Sequence, residues 1–224
     1  MKKYTLLKND TLYIYNTTGN TVRNTILYRI KALRDFGPVK KGDLGGYIAK
    51  EGNLSHNGKA WVADEARVFD NAIVFGNAIV FGEAKIFGNA RISDEARVYC
   101  KARIYGNAIV TGEARVSGEA KVFCNARVSG KSKISGKSSI SGEIRMCDEV
   151  TSSKFQLINI TGLQWNITIT DNHIRIGCEL HKITEWEKFS MRRIGIMAPD
   201  AVKWWKSNKE IIFSIIKNSR GEYK

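Results

Sequence analysis

One stretch of the chain, residues 58–147, repeats a six-residue pattern of small, polar and aliphatic positions fifteen times. The third position of each repeat is alanine from Ala60 to Ala126, and the fifth is valine or isoleucine from Val62 to Ile140. These positions are two residues apart, so on an extended strand both side chains point to the same side. No α-helix keeps a period of six. The pattern therefore predicts a short strand and a turn, repeated without interruption.

Stacked copies of such a unit form a β-solenoid. Glycine or aspartate at the first position, followed by asparagine or glutamate, favours a turn at each corner. Three strand–turn units close one coil of eighteen residues, so ninety residues give about five coils. Each inward valine or isoleucine contributes roughly 1.5–3 kcal/mol of burial, which makes the stack self-supporting. The predicted fold is mainly β, a parallel β-helix solenoid.

The flanking segments predict caps for the two ends of the solenoid, because its terminal coils would otherwise expose unpaired strands and an open core. Residues 1–57 alternate β-branched and aromatic residues with turns, which predicts an N-terminal β-rich cap. Residues 148–224 predict a small α+β domain, with strands near 165–170 and 174–177 and a last helix that begins near Pro199.

Composition indicates a cytoplasmic protein. Hydrophobic residues make up 43% of the chain, and no apolar run approaches the roughly eighteen residues that a membrane span needs. The first residues lack the features of a signal peptide. The four cysteines, which have no CxxC spacing and no adjacent histidine, predict free thiols and neither a disulfide framework nor a zinc site. They are Cys100, Cys124, Cys147 and Cys178.

The repeat resembles the hexapeptide-repeat, left-handed parallel β-helix proteins. That resemblance implies left-handed coiling, since parallel crossovers are otherwise right-handed. The chain departs from the usual acyltransferase pattern because glycine falls two places after the aliphatic residue. The segments 40–47 and 53–56 before the repeat, and 176–181 and 185–186 after it, are similar to uncharacterised phage and prophage proteins with repeats of the "GNARV" type. This similarity implies a viral or mobile-element origin and no established activity.

The histidines argue against catalysis. In the acyltransferases of the family that this repeat resembles, a histidine near a subunit interface acts as the base. The repeat in this chain contains no histidine. His56, His173 and His181 lie outside it on two different caps, so three histidines converging on zinc are not expected. We therefore predict a non-enzymatic protein without catalytic residues, metal or cofactor. The alternative is an acyltransferase in which His56 acts as the base.

The net charge of +14 predicts an acidic partner. Residues eighteen apart stack on one face, and the first face combines two columns. The basic column is Arg67, Lys85, Arg103 and Lys121, and the aromatic column is Phe69, Phe87, Tyr105 and Phe123. In one interpretation the basic column binds phosphates while nucleobases stack on the aromatic column. In the other the rings stack only on each other, and Glu65, Glu83 and Glu119 offset the charge.

Apolar residues on the other surfaces suggest an oligomer interface, because related solenoids associate through their flat sides. The candidates are Ile73, Phe75, Ile109, Trp204 and Trp205. For the two tryptophans, which lie on the predicted last helix, core packing is the favoured interpretation and a partner-binding surface is the alternative. The leading hypothesis is a non-catalytic phage or prophage protein in the host cytoplasm. It would bind an acidic host macromolecule, such as a nucleic acid or a nucleic-acid-bearing defence complex that it inhibits. A structural component of a virion or assembly, as a dimer or trimer, is a further alternative.

Overall fold

The computed structural model describes residues 2–18, 21–142, 144–146, 150–152, 158–160 and 163–220. The chain divides into two compact units, Met1–Val150 and Thr151–Lys224. None of the described helices combines the length and apolarity that crossing a membrane requires.

The first unit begins with a long hairpin. Strand β1 (Tyr4–Thr18) pairs antiparallel with β2 (Thr21–Ala32), and β2 pairs antiparallel with β3 (Leu44–Ile48). Strand β3 also pairs in parallel with the solenoid strand Arg67–Val68. The hairpin therefore continues one solenoid sheet and covers its first edge, which would otherwise be open to pairing with another chain.

The solenoid is built from two-residue strands, each made of the fourth and fifth positions of a repeat. The fifth-position side chain is buried in every strand, and most fourth-position side chains face outward. In chain order, β4 to β18 are Trp61–Val62, Arg67–Val68, Ile73–Val74, Ile79–Val80, Lys85–Ile86, Arg91–Ile92, Arg97–Val98, Arg103–Ile104, Ile109–Val110, Arg115–Val116, Lys121–Val122, Arg127–Val128, Lys133–Ile134, Ser139–Ile140 and Arg145–Met146.

Every third strand belongs to the same sheet, so partners are eighteen residues apart, as in Arg103 with Lys121. The three parallel sheets run in the orders β3-β5-β8-β11-β14-β17, β4-β7-β10-β13-β16 and β6-β9-β12-β15-β18. We call their outer surfaces the first, second and third faces. The predicted mainly-β parallel solenoid is confirmed. It has about six turns, not five, because β3 and a bridge from Leu54 to Val74 add a turn from the segment that the sequence assigned to the cap.

The corners adopt left-handed backbone conformations, which explains their glycines. Five corner residues are not glycine and still have φ between 53° and 58°: Asp64, Asp70, Asp94, Cys100 and Cys124. The three aspartates compensate for the strain with a hydrogen bond. Each carboxylate accepts the backbone N–H of the glycine eighteen residues later, at 2.9 to 3.1 Å.

The second unit is a small α+β domain. Its strands are β19 (Thr151–Ser152), β20 (Ile158–Ile160), β21 (Ile167–Ile169), β22 (His173–Ile176) and β23 (Glu179–Lys182), and its helices are α1 (Ile183–Lys188), α2 (Met191–Met197) and α3 (Ala201–Arg220). Strands β20 to β23 form an antiparallel sheet in chain order. Trp186 and Trp205 lie in the core of this unit with the buried isoleucines of β21 and β22. The sequence predicted the last helix but not α2.

Candidate functional site

The basic column is a continuous row of cations on adjacent strands. Arg67, Lys85, Arg103 and Lys121 occupy equivalent positions of β5, β8, β11 and β14. Within the described chain, no carboxylate lies within 4.0 Å of their side-chain nitrogens, and Glu65 pairs instead with Arg29 at 2.9 Å. Glu65, Glu83 and Glu119 therefore do not form ion pairs with the basic column, which was one way in which they were predicted to offset its charge.

The charges of the basic column repel each other. Lys85 is half-buried, and its pKa is lowered, first by burial and then by Arg67 and Arg103 on the neighbouring strands. Both effects disfavour the charged ammonium, and the Glu83 carboxylate opposes them only in part. An anion bound against Lys85 would reverse the second effect, so the column has an electrostatic reason to bind one.

The aromatic column stacks on itself. Ring centres are 5.1 Å apart from Phe69 to Phe87 and 4.9 Å apart from Phe87 to Tyr105 and from Tyr105 to Phe123, with planes within 7° of parallel. A nucleobase inserted between two rings needs about 7 Å, twice the 3.4 Å step of stacked bases. The rings therefore stack on each other, and bases have no room between them.

The N-terminal hairpin covers the beginning of the first face. Leu27 and Tyr47 pack on Phe69, which is only 3% exposed, so the prediction that Phe69 is displayed is wrong. Arg29 stabilises the packing of the hairpin on this face. Its guanidinium lies 4.3 Å from the Tyr47 ring centre and pairs with Asp10 at 2.9 Å. Phe87, the next ring of the column, is half-buried and also packs against this cluster.

The alternation of buried and exposed residues along β1 is a sequence signal for this cover. Leu12 and Ile14 pack towards the cluster around Phe69, whereas Tyr13 and Tyr15 are exposed. This alternation is typical of a strand with one buried face. The alternation indicates that one face of the hairpin packs against another part of the protein.

Positive charge continues around the solenoid and is concentrated in its second half. Residues 58–93 contain four lysines or arginines and four acids, whereas residues 94–142 contain nine and four. On the second face Arg97, Arg115 and Lys133 are exposed. On the third face Arg91 and Arg127 are exposed beside a row of corner asparagines.

That asparagine row is structural. The Asn71, Asn89, Asn107 and Asn125 amides donate in sequence, each Nδ2 to the next Oδ1, at 3.4, 3.0 and 3.1 Å. Their hydrogen-bonding groups are largely used within the row, as expected for an amide ladder.

The apolar interface candidates differ in exposure. Ile73, Phe75 and Ile109 are half-buried on the third face, and the Arg91 guanidinium lies 5.4 Å from the Phe75 ring centre. Trp204 is half-buried against Trp165, at 5.2 Å between ring centres. Trp205 is 1% exposed, so its assignment to an interface is wrong: it is a core residue of the second unit.

The candidate base His56 is enclosed by the N-terminal segment. Its Nδ1 accepts the Lys3 backbone N–H at 3.1 Å, and its ring stacks on Tyr4 at 4.4 Å. Its Nε2 is buried, lies 3.9 Å from Glu51 Oε2 and has no hydrogen bond among the described residues. Burial is the first cause that lowers the pKa of His56. A substrate has no direct access to this nitrogen.

The other candidates for chemistry are dispersed. His181 Nε2 lies 2.9 Å from Glu179 Oε2, and His173 Nδ1 lies 2.8 Å from Asn172 Oδ1. The described residues contain no group of three or more histidine, cysteine, aspartate or glutamate side chains placed to hold a metal. Cys100, Cys124 and Cys178 are free and exposed, and Cys147 lies outside the described residues.

Comparison with known proteins supports the repeat fold. A family model described as "YdcK Beta solenoid repeat" matches residues 66–82 and 102–119. A protein of Escherichia coli (strain K12) named "Uncharacterized acetyltransferase YdcK" is 35% identical over 65 residues. That match covers 29% of this chain and 20% of the E. coli protein, well under two thirds of either. The two matches are consistent with a β-solenoid of the same repeat type.

Proposed function

We propose that this protein binds a polyanion, through the basic column, without catalysing a reaction on it. The observation that carries the proposal is the row of in-register cations that has no ion-paired carboxylate in the described chain. Neighbouring strands are about 4.8 Å apart. At that distance two like charges repel by about 1 kcal/mol even in water. A bound row of phosphates would replace this repulsion with attraction.

The polyanion that best fits is the phosphate backbone of a nucleic acid, free or within a nucleoprotein complex. The stacked rings leave no gap for bases, so binding is expected to depend little on base sequence. Arg67 and Lys85 are half-buried, and Arg103 and Lys121 are exposed. Together the four cations would neutralise about four phosphates, so the logarithm of affinity should fall with the logarithm of salt concentration with a slope of about −3 to −4.

The similarity to phage and prophage repeats gives the proposal a more specific form. In this form of the proposal, the chain acts in the host cytoplasm. It binds the nucleic acid of a host nucleoprotein complex, including a complex used in defence. The basic second half of the solenoid, residues 94–142, would provide most of the attraction.

The test compares two charge reversals of equal size on different faces. Arg103→Glu/Lys121→Glu removes the exposed part of the basic column, and Arg97→Glu/Arg115→Glu makes the same change on the second face. Fluorescence anisotropy with labelled single-stranded and duplex oligonucleotides would measure affinity at low salt. We expect a loss of about tenfold or more for the first variant and about threefold or less for the second. Equal losses would show that only net charge matters, and absence of binding by the wild type would overturn the proposal.

A second candidate is acyl transfer, which is favoured by the name of the E. coli protein with a matching repeat. His56 would have to become accessible, because its Nε2 is buried. Release of free coenzyme A from acetyl-CoA, with amine acceptors present, would be measured for the wild type, His56→Ala and the control His181→Ala. Turnover that only His56→Ala abolishes, with the fold retained, would favour this candidate over a purely binding role.

A further inference from the structure

The outer face of the N-terminal hairpin exposes two tyrosines. Along β1, Leu12 and Ile14 pack inward on the hairpin's buried cluster. Tyr13 and Tyr15 alternate with them and therefore point to the opposite side, where they are 56% and 68% exposed. Ile26, directly opposite Tyr13 on β2, is also exposed. We call Tyr13, Tyr15 and Ile26 the tyrosine patch. Exposed groups of large aromatic and apolar side chains mark interaction sites.

The rings of the tyrosine patch are free, unlike those of the aromatic column. Neither Tyr13 nor Tyr15 has a ring contact or a side-chain hydrogen bond with another described residue. In the aromatic column, ring centres 4.9 to 5.1 Å apart cover one another. Two steps along an antiparallel strand instead separate the Tyr13 and Tyr15 Cα atoms by about 6.8 Å. This spacing is about twice the 3.4 Å step of stacked bases, so the patch offers the room for a flat aromatic group that the column lacks.

The charge of the hairpin selects an anionic ligand. Residues 2–32 contain six lysines or arginines and one acid, Asp10. Asp10 pairs with Arg29 at 2.9 Å, whereas Lys8 and Lys31 are exposed. Such a surface attracts anions and repels cations. An anionic polymer that carries flat aromatic groups is a nucleic acid. Its bases are free to stack on protein side chains where it is single-stranded, because in a duplex they stack on each other.

We propose that the tyrosine patch binds the bases of a single-stranded nucleic acid by stacking. The proposal rests on the function proposed above for its class of ligand, and it adds a preference for single strands that phosphate binding alone would not produce. Every base has a flat face, so stacking on Tyr13 and Tyr15 would tolerate any base sequence. A duplex would bind through its phosphates only.

The experiment compares a labelled single-stranded oligonucleotide with an abasic strand of the same length, which has the same phosphates but no bases. Fluorescence anisotropy would measure the affinity of the full chain for both. We expect the oligonucleotide to bind at least tenfold more tightly, because each stacked base contributes roughly fivefold or more. Equal affinities would overturn the tyrosine patch as a base-binding site and leave phosphate binding intact. Failure of the abasic strand alone to bind would instead count against the function proposed for the basic column.

Two variants locate the site. Tyr13→Ala/Tyr15→Ala should lose at least tenfold in affinity for the oligonucleotide and nothing for the abasic strand, whereas the matched control Tyr13→Phe/Tyr15→Phe keeps both rings and should stay within about threefold of the wild type. Unchanged oligonucleotide affinity in the folded alanine variant would overturn the proposal.

A measurement on the wild type covers the case in which the alanine variant does not fold. A fluorescent adenine analogue in the strand loses emission when it stacks on a ring, so we expect quenching on binding, and its absence would contradict the proposal. Sedimentation tests the other occupant of the tyrosine patch. A dimer that forms with rising concentration, and that the alanine variant abolishes, would show that a second copy covers the patch, and this result would overturn the proposal.

Discussion

Replacing Lys3 by methionine is expected to change how the stability of the protein depends on pH. Lys3 is completely buried, its Nζ donates to the Ala60 carbonyl at 2.7 Å, and the same atom lies 5.0 Å from the Phe36 ring centre. Burial, reinforced by the nearby Arg34, lowers the pKa of Lys3 from 10.5 to about 8. The native structure therefore disfavours the charged form of this lysine relative to the unfolded chain.

The sign and size of the effect follow from this pKa. Because the folded pKa is below the unfolded one, protonation of Lys3 favours unfolding. Stability is lowest below the folded pKa of about 8, where the full difference from 10.5 costs about 3 kcal/mol. It recovers as pH rises towards the unfolded value. Between about pH 7 and pH 9.5 the free energy of unfolding should rise by about 2 kcal/mol from Lys3 alone.

Urea unfolding followed by circular dichroism would measure this for the wild type and Lys3→Met at several pH values in that range. The comparison cancels other titrations, including that of Tyr4, whose pKa is raised first by burial and then by Glu51. The wild type should gain about 2 kcal/mol relative to the variant as pH rises. Lys59→Met, which removes an exposed lysine next to Ala60, should parallel the wild type. Parallel curves for the wild type and Lys3→Met would refute the reasoning.

Three further substitutions test other contacts. Arg29→Met should lower the free energy of unfolding by about 2 kcal/mol, because the guanidinium that joins the hairpin to the solenoid is lost. Urea unfolding measures this loss, and an unchanged midpoint would contradict the prediction. Asp94→Ala should be about 1 kcal/mol less stable than Asp94→Gly, since both lose the bond to Gly112 but only alanine is strained at φ 56°; the reverse order in thermal unfolding would disprove this. Cys100→Gly should raise the melting temperature by relieving about 0.5–1 kcal/mol of strain at φ 58°, and a lower melting temperature would count against it.

The sequence predicted the solenoid well because its period is a direct consequence of packing. An alanine and a branched aliphatic residue recur at each strand from Trp61–Val62 to Arg127–Val128, and both are buried throughout residues 60–128. The first turn escaped prediction because its spacing differs. Ile48 pairs with Val68 and Leu54 with Val74, twenty residues apart and not eighteen. Two extra residues between Leu54 and Val62 break the period there.

The columns of the candidate site were predictable for the same reason, and their accessibility was not. Strand register alone places Arg103 beside Lys121. Whether Phe69 is exposed depends on a hairpin whose strands pair with each other and with β3, and no local pattern specifies where such a hairpin lies. The environment of the tryptophans in the second unit was harder still to predict. The indole N–H groups of Trp186 and Trp205 are equivalent in sequence terms, and only tertiary packing gives Trp186 an acceptor while Trp205 has none among the described residues.

The eighteen-residue register has a consequence for how this protein can change in length. Removing or adding eighteen residues, such as 94–111, would shorten or lengthen every column by one member and leave each remaining side chain on its own face. A change of six residues would instead move all later side chains to the next face. Beyond that point, the basic column would continue with residues that now lie on a different face. Insertions and deletions of whole repeats therefore either change the length of the solenoid or move its later side chains to a different face. A set of variants one coil shorter or longer would provide a graded series of charge rows on one unchanged scaffold.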